Sequence, residues 1–212
     1  MPTSKTPDAG PPAAPGRPAG RDAHPHAPRR PPRAGLLARL EARDVALSAV
    51  IGTRWPHPRY LTWPLGAVSL TGNYGIAWVA LAAVGAAAGT AGFSGRRFAY
   101  GAGAVLATEW ITFLIKLIFR RRRPTQRDPA AAKADIPLPL SPSFPSSHAS
   151  MSTVGALSMS VLYPSLWPAF AALAVVLAAS RVYLRVHFLA DVLAGICLGL
   201  VIGLPYIALV RI

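Results

Sequence analysis

The sequence predicts an all-α, polytopic membrane helix bundle: about five transmembrane helices behind an N-terminal interfacial amphipathic helix. Three observations carry that expectation. Hydrophobic residues fill 52% of the 212 positions and mean hydropathy is +0.38, too apolar for an ordinary soluble domain of this length. The apolar residues gather into five runs, about Gly75–Gly92, Phe98–Phe119, Ala149–Tyr163, Leu166–Val182 and Val192–Val210. Most of these are near the ~20 residues needed to cross a hydrocarbon core. The basic residues behind the net charge of +14 sit in a tail and in the loops between runs, where membrane proteins keep theirs.

Taken in order, the chain divides into a tail over residues 1–35 and a membrane domain over 36–212. The tail is rich in Pro, Ala, Gly and Arg without hydrophobic period, so it cannot bury enough surface to offset its ordering entropy and reads as disordered. His24 and His26 lack a third ligand nearby and read as solvated tail residues rather than a metal site. The tail's charge alone could suggest nucleic acid, but it has no interleaved aromatic residues for bases to stack on. Leu36–Ile51 has apolar residues at helical spacing, interrupted by Arg39, Glu41, Arg43 and Asp44. That is too much charge to span a bilayer and suits a helix lying in the interface. Trp55, Tyr60 and Trp63, among Pro56, Pro58 and Pro64, read as an aromatic belt leading into the first span. The third run is short unless Ser146–His148 form its first turn. Cys197 is the only cysteine, which excludes an internal disulfide and a thiolate zinc site; it reads as a small buried hydrophobe.

The chemistry-bearing residues lie at the ends of these runs. Ser146, Ser147 and His148 follow Pro145 at a helix start, where unpaired N–H groups favour an anion. Lys116, Arg120 and Arg123 would share a face if the second span stays helical to Pro124. Arg120–Arg123 also reads as a basic flank snorkelling to lipid headgroups, whereas Lys116 lies a full turn deeper, where an unpaired ammonium is costly. Arg181 closes the fourth span. His187 and Asp191 are spaced i, i+4, so a carboxylate can accept from one imidazole nitrogen and leave the other free as nucleophile or base. Glu109, two turns below Lys116, is an intramembrane carboxylate, either a site residue or a partner in an interhelical hydrogen bond. With five spans, all the motif ends emerge at one membrane boundary: Lys116 and Arg123, Ser146 and His148, Arg181, His187 and Asp191.

Lys116-x6-Arg123-Pro124, Pro145-Ser146-Ser147-His148 and Ser180-Arg181-x5-His187-x3-Asp191 together resemble the three signature motifs of the type 2 phosphatidic acid phosphatase (PAP2) family. Ser147 departs from that pattern, which usually has glycine there. The resemblance implies a metal-independent phosphoric ester hydrolase without cofactor. In it His187 is the nucleophile that forms a phosphohistidine, Asp191 orients it, and His148 is the general acid. Lys116, Arg123, Ser146, Ser147 and Arg181 hold the phosphate, with Arg120 and Glu109 as possible secondary members. No acidic cluster or His-x-x-x-His on the helices suggests a metal.

The expected substrate is a phosphomonoester or pyrophosphate on a lipid, with a lean to a polyprenyl-linked phosphate such as a decaprenyl-phosphoryl sugar phosphate or undecaprenyl diphosphate. Phosphatidic acid and phosphatidylglycerol phosphate are the alternatives; a non-catalytic protein that binds anionic membrane lipids is the alternative of another class. The sequence leaves the oligomeric state open. The expectation leans to a tail and catalytic face on the cytoplasmic side of the cell membrane: every Lys and Arg except Arg96, Arg97 and Arg211 falls on that face. Setting aside the cations in or beside the motifs leaves the bias nearly balanced.

Overall fold

Helices form where the apolar runs are longest, and loops where proline, serine and the arginine cluster interrupt them. The computed structural model describes residues 35–71, 75–87, 95–127, 135–138 and 140–211. The tail, with His24 and His26, lies outside them save for Gly35. In chain order the helices are α1 Leu36–Ala49, α2 Arg59–Thr71, α3 Ile76–Ala87, α4 Gly95–Phe119, the single turn α5 Pro124–Arg127, α6 Ser147–Leu162, α7 Trp167–Tyr183 and α8 Leu189–Arg211. No strand occurs among the described residues. The fold is therefore all-α, as expected.

Three of the five expected spans are long and apolar enough to cross a membrane: Gly95–Arg127, Pro164–Tyr183 and Leu189–Leu209. α6 has 16 residues and the described part of α3 has 12. At 1.5 Å per residue α6 is about 24 Å long, short of a ~30 Å hydrocarbon core. Its position explains this. α6 packs against α3, α4, α7 and α8, and Ser150, Ser152 and Ser158 are buried along it. It is the axis of the bundle and has protein rather than lipid around it.

Small residues let α8 close on that axis. A Cβ on Gly195 would lie 2.5 Å from the Ser146 carbonyl oxygen, and one on Gly199 would lie 2.6 Å from that of Ser150. Both glycines allow the backbones to touch, the usual way of packing helices in lipid. On α4, Thr112 sits 3.1 Å from Ser150, a polar tie between buried faces. At the far end of α6, Trp78, Ala82, Ala156, Met159, Leu162 and Phe170 form an apolar core.

The N-terminal region keeps its expected amphipathic helix. Leu36 and Leu37 of α1 are 73% and 82% exposed, an apolar edge suited to an interface. α1 continues as a π-helical turn over Val50–Arg54. Two expectations change. The belt residues Tyr60 and Trp63 lie on a helix, α2, which accommodates Pro64 in its interior and carries the buried Ser69. Cys197 is exposed on α8 rather than buried, because the glycines, not the cysteine, occupy the face turned to α6.

Candidate active site

The residues singled out in the sequence meet where α4 ends, α6 begins and α7 turns into α8. α4 stops at Phe119, and Arg120 follows with a positive φ of 46°. That left-handed residue breaks the helical face on which Lys116, Arg120 and Arg123 were expected to align. Arg120 turns outward, with its Nε donating to the Leu117 carbonyl. Lys116 remains on the buried face of α4, and Arg123 returns to the interior from the loop; both are nearly inaccessible.

His187 is delivered by the turn between α7 and α8. The N–H groups of Val186 and His187 both donate to the Arg181 carbonyl, at 3.2 and 3.1 Å. Arg185 takes a left-handed φ of 62° to close the turn. The imidazole is 2% exposed. Its Nε2 lies 3.2 Å from the Arg123 guanidinium. Because a guanidinium only donates, Nε2 is the acceptor and carries a lone pair. Nδ1 faces Asp191 Oδ2 at 3.5 Å, too long for a strong hydrogen bond, and has no closer partner. Burial pushes the His187 pKa well below the ordinary histidine range. Asp191 opposes this shift, while the charges of Arg123, Arg181 and Lys116 add to it.

Asp191 is fully buried and pinned at both oxygens. Oδ2 accepts the Phe188 N–H at 2.9 Å, and Oδ1 accepts from Arg121 at 2.6 Å. Its carbonyl accepts the N–H of Ser146 at 2.9 Å. This corrects the expectation that the Ser146 N–H is free for an anion: the close contact of α8 with α6 takes it up. The Ser146 hydroxyl caps α6 by accepting from Ala149. Ser147 and His148 are the first residues of α6, so their N–H groups have no intrahelical acceptor.

Each remaining cation of the site is held by a protein oxygen. Lys116 donates to the Pro142 carbonyl at 2.7 Å. Arg123 donates to the carbonyls of Ser141 and Val186. Arg181 donates to the Ser69 hydroxyl and leaves its own Nε without a partner. His148 Nε2 lies 2.8 Å from the Ser69 carbonyl; a carbonyl only accepts, so Nε2 carries the proton. Glu109 approaches the Ser147 side chain and lies within electrostatic reach of Lys116. One of its carboxylate oxygens is buried without a partner.

Three residues at this site were not predicted. Arg121, rather than Arg120, reaches Asp191. Asp44 of α1, read as a charge interrupting an interfacial helix, accepts from Arg121 at 2.6 Å and from the Ala190 N–H at 2.8 Å. Ser69 supplies oxygens to both Arg181 and His148. Beside His187 a cavity of about 140 Å³ opens against Ser48, Gly52, Thr125 and Phe188.

The arrangement offers an unprotonated imidazole nitrogen among three buried cations, with a second imidazole nearby that holds a proton. Those are the parts of phosphoryl transfer: a nucleophile, a proton donor and fixed positive charge for the transferring oxygens. A family model described as the PAP2 superfamily matches residues 98–211. Among solved structures, the chain is similar to a crystal structure described as the first transmembrane PAP2 type phosphatidylglycerolphosphate phosphatase from Bacillus subtilis. The two are 22% identical with a TM-score of 0.64, over 82% of this chain and 87% of that one. Comparison with curated proteins gives no match.

Proposed function

The chain belongs to the PAP2 superfamily, and from that premise we propose that it is a membrane lipid phosphatase working through a phosphohistidine on His187. The supporting observation is the orientation of the His187 ring. Nε2 points its lone pair into the cationic site, 3.2 Å from Arg123, and Nδ1 is turned to Asp191.

In this reading the substrate phosphate displaces the protein oxygens now held by Lys116, Arg123 and Arg181. It also takes the free N–H groups of Ser147 and His148. His187 Nε2 attacks phosphorus, and the bond from phosphorus to the lipid oxygen breaks. His148, which takes up a second proton once the anionic phosphate offsets the charges of Arg181, Lys116 and Arg123, gives its Nε2 proton to the departing oxygen. Water then attacks the phosphohistidine, giving its proton to His148, and inorganic phosphate leaves as His187 regains its lone pair. Asp191 holds the Nδ1 proton throughout, and the fixed cations stabilise the equatorial oxygens. The domain carrying this chemistry runs over residues 36–212, behind the tail.

For the substrate we retain the polyprenyl-linked phosphate or diphosphate. The second reading is a glycerophospholipid phosphate; the similar solved protein, named for phosphatidylglycerol phosphate, favours it. We place the site on the cytoplasmic face with the tail. Cysteine at Ser4 in a Cys197→Ser background should then resist an impermeant maleimide on intact cells. Phosphate release from a panel of both lipid classes in detergent, comparing wild type with His187→Ala, tests the function. Release by His187→Ala at near the wild-type rate would sink the mechanism, and the preferred lipid decides between the substrate readings.

A further inference from the structure

α1 reads from its sequence as a membrane-surface anchor, yet its polar face is built into the catalytic end. Arg121 spans two carboxylates, giving one amino group to Asp191 Oδ1 and the other to Asp44 Oδ2, both at 2.6 Å. Its guanidinium lies over the Phe188 ring, 4.2 Å from the centroid, which fixes the plane of the fork. Asp44 uses its other oxygen on the Ala190 N–H at 2.8 Å, and Ser48, one turn along α1, accepts the Leu189 N–H at 2.8 Å. α1 therefore caps the first turn of α8, the turn that carries Asp191.

We infer that Arg121 and Asp44 are positioning residues for the phosphoryl-transfer reaction, acting through Asp191 on the orientation and tautomer of His187. The inference rests on the reading of His187 as nucleophile. Asp191 Oδ2 faces His187 Nδ1 only at 3.5 Å, so that bond cannot hold the carboxylate by itself. The Phe188 N–H fixes one oxygen and Arg121 the other. Without Arg121 the carboxylate can rotate, and the Nδ1 proton loses its oriented acceptor. The tautomer with the proton on Nε2, which cannot attack phosphorus, then competes. Asp44 keeps Arg121 in the bridging pose. The phosphate-holding residues Lys116, Arg123 and Arg181 are untouched, so the loss belongs in kcat rather than in KM.

The test uses the full chain in detergent, with a lipid phosphate that the wild type hydrolyses. Variants are R121Q, D44N, their combination, H187A, and R122Q as a charge control on an exposed neighbour. Each is assayed for kcat, KM and thermal melting. R121Q is expected to lower kcat roughly 10- to 100-fold, the range for losing the partner that orients a functional histidine's carboxylate, with KM little changed. D44N lowers kcat less, because asparagine still accepts the Ala190 N–H. The double variant is no slower than R121Q alone, as residues in one chain are non-additive.

Wild-type kcat in a folded R121Q with a lower melting temperature overturns the inference and leaves a structural brace. A raised KM at unchanged kcat also overturns it, since Arg121 would then bind substrate; so does full additivity. If R121Q shows no cooperative melt, D44N decides by the same split of kcat against KM. Activity in H187A removes the underlying reading instead, so the two failures are distinguishable.

Discussion

The two ends of α6 solve different problems with the same helix. At its C-terminal end Met159 and Leu162 pack with Trp78, Ala82 and Phe170, and a Cβ on Gly155 would run into the Trp78 ring at 2.3 Å. Apart from the buried Ser158, that end is apolar. At the N-terminal end many of the buried side chains are polar or charged, among them Ser146, His148, Lys116, Arg123, Arg181, His187 and Asp191. Ionised groups are tolerated there because carbonyls, a hydroxyl and one another satisfy them. The apolar end holds helices together by contacts that nothing needs to replace. The polar end holds several of its cations by oxygens that a phosphate can replace. Stability is concentrated at one end and exchangeable hydrogen bonding at the other.

The largest expected effect breaks the polar end alone. His187→Ala should reduce turnover by at least roughly 10⁴-fold, the scale for removing a nucleophile or its base from a coupled unit. Melting should change little, since the ring is bonded to few groups. Asp191→Asn should follow, with a loss on the order of 10² to 10⁴-fold. Single-turnover phosphate release together with a thermal melt in detergent checks both. A His187→Ala protein that loses stability in proportion to activity would dissolve the division between the ends.

The converse substitution is Leu162→Ala. Leu162 is 1% exposed, and truncating such a side chain costs about 2–5 kcal/mol of stability. Turnover per folded molecule should stay within about twofold, because no residue of the polar end touches that core. Melting temperature and kcat, normalised to folded protein, give the answer. A fall in normalised kcat by tenfold would show that packing at the far end sets catalytic geometry through α6.

A third expectation concerns pH and is confined to the polar end. In the proposed mechanism the neutral imidazole is the reactive form, and burial with three nearby cations lowers the His187 pKa in the free enzyme. His187 therefore stays neutral as pH falls through the ordinary histidine value near 6.5. Protonation silences it only well below that value. The acid limb of kcat/KM due to His187 should lie well under pH 6.5. Arg123→Gln removes one of those charges, so any activity it retains should have its acid limb nearer 6.5.

Much of the polar end was legible because its side chains sit at helix ends, and helix ends are marked by composition. Apolar runs located α4, α7 and α8, and counting them brought Lys116, His148, Arg181 and His187 to one boundary. The misses have a common cause. Whether Arg120 or Arg121 reaches inward depends on where α4 stops, and the left-handed Arg120 that stops it bears no local signal such as glycine. Asp44 read only as a charge interrupting an interfacial helix, because its partners, Arg121 and the Ala190 N–H, are distant in sequence. Ser69 lies just past the Trp55–Pro64 stretch read as a belt and belongs to no motif. The Ser146 N–H is occupied only because Gly195 lets α8 approach. Glycines 195, 199 and 203 stood in view at i, i+4 spacing and could have signalled that contact.

The smallest expected effect probes whether the oxygens at the polar end stand in for those of phosphate. Ser69 is the sharpest case: its hydroxyl accepts from Arg181 and its carbonyl accepts from His148. Ser69→Ala removes the hydroxyl and leaves the carbonyl. Arg181, already with one unpartnered nitrogen, then has less to give up when phosphate arrives. The loss of one competing hydrogen bond to a charged group is worth about 1.5–3 kcal/mol in the free enzyme. Water entering the vacated space offsets most of that gain. The net result should be a fall in KM and a tighter inhibition constant for inorganic phosphate or vanadate, each by about two- to threefold, with kcat unchanged. Steady-state kinetics with and without phosphate measure both. A loss of more than tenfold in kcat/KM would instead make the Ser69 hydroxyl part of the phosphate cradle, and the oxygens at this end would then be permanent members of the site.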